Sequence, residues 1–197
     1  MKKMNSSLSW LVIFALVLSI LTMPAFAAYT PPAGWKIYST ITLAPYDGFQ
    51  FPFIVNMNQV VNQWNTAAGS TLLQISQYTH WYPDGFPNED GVSYIYSQDA
   101  GNAYIALTNI KTKSHLFGKA EVVESDINMN SYHAWSDGAQ EGCYDFYSAF
   151  LHETGHVVGF NHETMFSDSV MYPEGQVGQV KRTLSNGDLI GLNAIYK

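Results

Sequence analysis

From Phe53 to Ala68 the apolar residues fall at positions 53, 57, 60, 61, 64 and 68. Spacings of three and four lay one continuous stripe along a helix, and Gly69 supplies its stop. Before it, residues 36–43 alternate as a strand does, with Ile37, Ile41 and Leu43 on one side. Short β-rich runs follow at 71–76, 92–97, 103–108 and 119–130, parted by clusters of Gly, Pro, Asn and Asp that are densest over 83–91. A second helix is expected from about Asp145, a candidate N-cap, into the region of His152. The last helix has a strong start signal. Ser185 and Asp188 stand at capping-box spacing, Leu184 and Leu189 at staple positions, and Leu192 and Tyr196 carry the stripe to the chain end. No internal repeat, low-complexity tract or second domain interrupts this order.

The first residues follow a different logic. Lys2 and Lys3 precede an apolar run over 10–23, then Pro24 and the small-residue site Ala25-Phe26-Ala27. These are the three regions of a secretory signal, and the run is shorter than the roughly 20 residues of a spanning helix. Residues 1–27 are therefore expected to be a cleaved signal peptide. Residues 28–197 would then form one secreted domain, with no membrane association after cleavage and with 28–34 as a lead-in.

The formal net charge is −7, and loss of the two signal lysines makes it more negative still. With no basic patch interleaved with aromatics, nucleic acid is excluded as a partner. Cys143 is the one cysteine, so no internal disulfide can form. It is expected to be a small buried hydrophobe at the start of the second helix.

The chemistry concentrates in Phe150-Leu-His-Glu-Thr-Gly-His-Val-Val-Gly-Phe-Asn-His-Glu163. His152 and His156, four apart on a helix, project from one face and can share a metal. Glu153 lies beside the first of them, within reach of a metal-bound water. His162 is six residues past His156, where a continued helix would carry it away; Gly159 can take the positive φ that turns the chain back. Three imidazoles leave a fourth position open, the pattern of a catalytic rather than a structural zinc. Chance alone would produce these five fixed positions somewhere in such a chain with a probability on the order of 10⁻⁵. The acidic loop 84–90 offers oxygen ligands for calcium, but a solvated turn accounts for the same residues and is the expectation here. His80, His115 and His133 stand apart and are assigned surface or structural roles.

HETGHVVGFNH resembles the metzincin pattern His-Glu-x-x-His-x-x-Gly-x-x-His. Ser169-Val-Met-Tyr-Pro173 is similar to the metzincin Met-turn, with Met171 beneath the metal and Pro173 closing the turn. The short gap from His162 to Met171, the tail 183–196 and the segment Asp126-Ile-Asn-Met-Asn130 resemble the matrixin branch. Phe160 and Glu163 look more like astacins.

The resemblance implies an α+β, zincin-like fold: a twisted mixed five-stranded sheet with two long helices, and a small C-terminal subdomain holding the Met-turn and final helix. It also implies a secreted, monomeric zinc endopeptidase with one catalytic Zn2+, bound by His152, His156 and His162. Glu153 would be the general base, acting on a zinc-activated water, and Tyr172 a candidate for the oxyanion or pocket wall. A protein or peptide substrate would lie extended along the 103–108 strand edge. Two other readings remain open: a non-catalytic module that keeps the zinc scaffold, and a zinc hydrolase of non-peptide amides or esters.

Overall fold

The computed structural model describes residues 29–81 and 85–197. The expected signal peptide and Asp84 of the acidic loop lie outside the described residues. Among the described residues, no helix is long and apolar enough to cross a membrane.

Helix α1 (Phe51–Ala68) buries the stripe read from the sequence, including Met57, Val60, Val61, Trp64 and Ala68. Pro52 sits in its first turn, where a missing N–H costs nothing, and Gly69 ends it at φ +69°. The sheet comprises β1 (Trp35–Lys36), β2 (Ile41–Pro45), β3 (Leu73–Ile75), β4 (Ser93–Tyr96), β5 (Ala106–Lys113) and β6 (Ala120–Met129). Strands β3, β2, β4 and β6 run parallel in that spatial order, β1 pairs in parallel with the start of β6, and β5 runs antiparallel to β6. The mixed sheet thus has the five expected strands plus a sixth of two residues. The single strand expected over 36–43 is split into β1 and β2, which pair with different partners. The strand expected at 103–108 begins later and runs to Lys113, because its pairing with β6 continues to Glu121.

Strand β6 organises one side of the molecule through its polar alternation. Its Glu124 carboxylate accepts from the Asp90 and Gly91 amides, and Asp126 accepts from Asn88 and Tyr94. Asn128 accepts from the Gln98 amide, and Asn130, just past the strand, accepts from Ala100 and donates to the Tyr104 carbonyl. These buried side chains satisfy the amides of the long loops leading to β4 and β5. Burial pushes the Asp126 carboxyl up to about 6, even against its two amide donors. In the acidic loop itself, Asp90 accepts from the Val92 amide and the Asn88 side chain.

A two-stranded ribbon, β7 (Trp135–Ser136) with β8 (Tyr144–Asp145), leads into α2 (Phe146–Val158). Asp145 caps α2 through the Ser148 amide and is itself held by Arg182, which also reaches Asp137 at 2.7 Å. Cys143 lies before this cap rather than on the helix, and it is half-buried, because the ribbon and not the helix occupies that stretch. Helix α1 packs on α2, joined at depth by the 3.0 Å bond from Trp64 Nε1 to Thr154 Oγ1. Helix α3 (Asn186–Tyr196) begins with the expected capping box of Ser185 and Asp188. Leu189 keeps 37% of its surface exposed while Leu184 is buried, so the staple expected there is only partly buried, and Ile195 joins Leu192 in the core.

Candidate active site

Helix α2 carries two of the three histidines, and its end determines where the third one goes. Gly159 takes φ +110°, and its amide closes back onto the His156 carbonyl at 3.1 Å. A Cβ here would stand 2.7 Å from the Trp35 carbonyl oxygen, so glycine is required by packing as well as by conformation. Trp35 Nε1 donates to the His156 carbonyl at 2.9 Å, and the Ala33 amide donates to Gly159. The N-terminal segment thereby closes over the end of α2.

The three rings converge, with centroid separations of 4.9, 5.2 and 4.8 Å among His152, His156 and His162. Each offers one nitrogen, all within 4.8 Å of one another, and among the described residues no other group of three or more such side chains could hold a metal. The Nε2 atoms of His156 and His162 stand 3.2 Å apart. On the far side of two rings, carbonyls fix the tautomer: His152 Nδ1 lies 2.8 Å from the Val170 oxygen and His156 Nδ1 lies 2.9 Å from that of Phe160. Each Nδ1 donates there, which leaves Nε2 as a lone-pair donor aimed at the common point. Burial holds the His152 imidazolium far below its usual range, at about 4, and lowers His156 as well. Neutral nitrogens at this spacing fit a zinc ion.

Against Gly155 of α2 packs the turn containing Met171, which is fully buried. Its carbonyl accepts from the Glu163 amide, and the preceding Val170 orients His152. Asp188, fully buried at the start of α3, holds this turn in place: it accepts from the Val170 amide, Ser169 Oγ, Thr30 Oγ1 and the Ser185 amide. Glu163 turns away from the metal point and accepts from the Met165 and Phe166 amides. Pro173 is exposed and Tyr172 half-buried, with Lys181 Nζ over the Tyr172 ring.

Glu153 is buried beside His152, and its Oε2 accepts from Thr108 Oγ1 on β5 at 2.6 Å. Burial pushes this carboxyl up, opposed by His156 and by the Thr108 hydroxyl. Both residues line a cleft of about 810 Å³ that also takes in the three histidines, Tyr172 and the start of β5. Among the described residues strand β5 pairs on one side only, so it offers a free backbone edge along this cleft.

The other histidines stay apart. His80 packs edge-on against Tyr94, His115 meets Glu121 at 3.2 Å, and His133 Nε2 sits 3.0 Å from the Tyr104 carbonyl. Three contributors were not singled out from sequence. Thr108 left no sequence signal, and Asp188 was legible only as a cap. Gly155 did leave one, an isolated glycine inside a helix; a Cβ there would meet Met171 Sδ at 2.2 Å.

A sheet with a free edge strand beside a helix, and three histidines converging beside a buried glutamate, form the arrangement of the metzincin class. The chain belongs to the matrixin family, whose model matches residues 95–197 and so takes in β5, α2, the Met171 turn and α3. Membership supports zinc metallopeptidase activity, with the three-histidine cluster fitting a catalytic zinc and peptides or proteins as substrates. No curated protein matches the sequence. Among solved structures, the chain is similar to high choriolytic enzyme 1, a hatching-enzyme zinc protease from the medaka fish Oryzias latipes. That likeness has 13% identity and a TM-score of 0.40, covering 87% of this chain and 96% of that one.

Proposed function

We propose that this chain is a secreted zinc endopeptidase in which His152, His156 and His162 hold the metal and Glu153 is the general base. The observation that carries the reading is the shared cleft. Three imidazoles, two of them with tautomers fixed by carbonyls, meet at one point, with a buried carboxylate beside them and a free strand edge alongside. Bound zinc supplies Lewis acidity, polarising the scissile carbonyl and making water acidic enough to react near neutral pH.

The protein's own groups do the rest. The β5 edge accepts an extended substrate through main-chain hydrogen bonds and presents its carbonyl to the cleft. Glu153 takes the proton of the attacking water and returns it to the leaving amine. Tyr172 stands at the cleft wall, where its hydroxyl can donate to developing negative charge. Gly159, Met171 and Pro173 shape the two turns that hold the ligands.

Substitution tests these assignments. Glu153→Ala keeps zinc and loses turnover, whereas His156→Ala loses both; an active Glu153→Ala enzyme contradicts the assignment. Residues 1–27 direct export and are removed, leaving a monomer of 28–197. N-terminal sequencing and sizing of protein from the culture medium test this, and an N-terminus other than residue 28 or a larger species contradicts it.

A further inference from the structure

The Glu153 carboxylate has two oxygens, and among the described residues one hydroxyl alone donates to it, that of Thr108 at 2.6 Å. The same hydroxyl lies 3.2 Å from the Glu153 carbonyl oxygen, so Thr108 sits squarely against this residue. It comes from a different element. Thr108 pairs with Ile127 of β6 within a ladder that runs from Ala106 to Lys113, which fixes its backbone. Its branched Cβ restricts χ1, so the hydroxyl is held on a stiff stem. A glutamate, by contrast, has three side-chain torsions and no intrinsic reason to keep one oxygen on a reacting proton.

We propose that Thr108 is a positioning residue for the general base: its hydroxyl pins Oε2 of Glu153, so that Oε1 is left aimed into the metal cleft. The inference rests on the role given to Glu153 above. It also ties the base to the substrate, because the strand that would carry the peptide is the strand that orients the carboxylate. A misplacement of about 1 Å in such a group costs on the order of 100-fold in rate. Loss of the hydroxyl should therefore act on turnover rather than on substrate seating.

The test uses the full zinc-loaded enzyme with Thr108→Val, which keeps the shape and removes the donor, and Thr108→Ser, which keeps the donor. Thr108→Ala serves if the valine variant does not fold. The expected result is one zinc per chain in each variant, kcat lower by about 10- to 100-fold in Thr108→Val with KM within about twofold, and recovery to within about threefold in Thr108→Ser. A readout apart from activity is equilibrium binding of a peptide hydroxamate, whose hydroxyl must share a proton with the glutamate. Its affinity should fall about tenfold in Thr108→Val, while the same peptide ending in a plain amide binds unchanged.

Normal kcat with unchanged hydroxamate affinity in Thr108→Val overturns the proposal. So does a rise in KM at constant kcat, which would make Thr108 a substrate contact. Retained turnover in Glu153→Ala overturns the general-base reading itself and is distinguishable from both.

Discussion

Gly155→Ala should be destabilising, although in most exposed helices the same change is stabilising. Helix propensity alone favours alanine over glycine by about 1 kcal/mol. At position 155, however, the added methyl would stand 2.2 Å from Met171 Sδ, 3.2 Å from its Cε and 3.3 Å from Trp64 Cζ2. Both neighbours are fully buried, so neither can swing into solvent. Overpacking of this kind costs up to about 3 kcal/mol, which leaves a net loss of about 2 kcal/mol once propensity is counted. For a domain of this size that is a fall in Tm of about 4–8 °C. The displacement also has a direction. Pushing Met171 away moves the adjoining Val170 carbonyl, which holds His152 Nδ1, so zinc affinity should fall about tenfold. Denaturant unfolding of the metal-free protein, and zinc titration against a competing chelator, read the two effects separately. A cycle with Met171→Ala should show the double variant at least about 1 kcal/mol more stable than the two single losses imply. A Gly155→Ala protein of equal or greater stability, with unchanged zinc affinity, would refute the reasoning.

Asp188→Ala leaves the Val170 and Ser185 amides without their buried acceptor and should cost at least about 3 kcal/mol in urea unfolding; an effect below about 1 kcal/mol contradicts that role. Arg182→Met strands the buried Asp145 carboxylate that caps α2, with an expected loss of about 3–5 kcal/mol; a near-neutral result would mean the cap does not depend on its partner. In the metal-free protein, His152 has a folded pKa of about 4 against 6.5 unfolded, so the unfolded chain takes its proton first as pH falls. Its contribution is fully present above about pH 6.5 and is lost as pH falls towards 4, on the order of 3 kcal/mol in all. Denaturant midpoints across that range check this, and a slope unchanged in His152→Gln contradicts it.

The elements built on one local period were legible in the sequence. The α1 stripe, its glycine stop, the Asp145 cap and the Ser185–Asp188 box each depend on residues within a few positions of one another. So did the metal motif, whose spacing is a property of one helix and one turn. What was not legible depends on pairing across the chain. The interval 36–43 alternates throughout, yet it breaks because β1 and β2 meet different strands. The edge strand runs on past 108 because β6 continues to pair with it. Cys143 was misplaced because a ribbon to residues 135–136 takes the chain before the helix can start. The residues around the metal motif show the same division: Gly155, Asp188 and Thr108 matter through partners 16, 18 and 45 positions away.

The most direct test of the central claim is hydrolysis of a denatured protein by residues 28–197, with metal content measured on the same sample. Wild type, Glu153→Ala and chelator-treated enzyme are compared side by side. The account predicts cleavage proportional to zinc up to about one ion per chain, loss of cleavage on chelation, and a Glu153→Ala protein that keeps its zinc with turnover lower by at least about 100-fold. Full zinc occupancy with no cleavage by wild type, or cleavage that survives in Glu153→Ala, would contradict it.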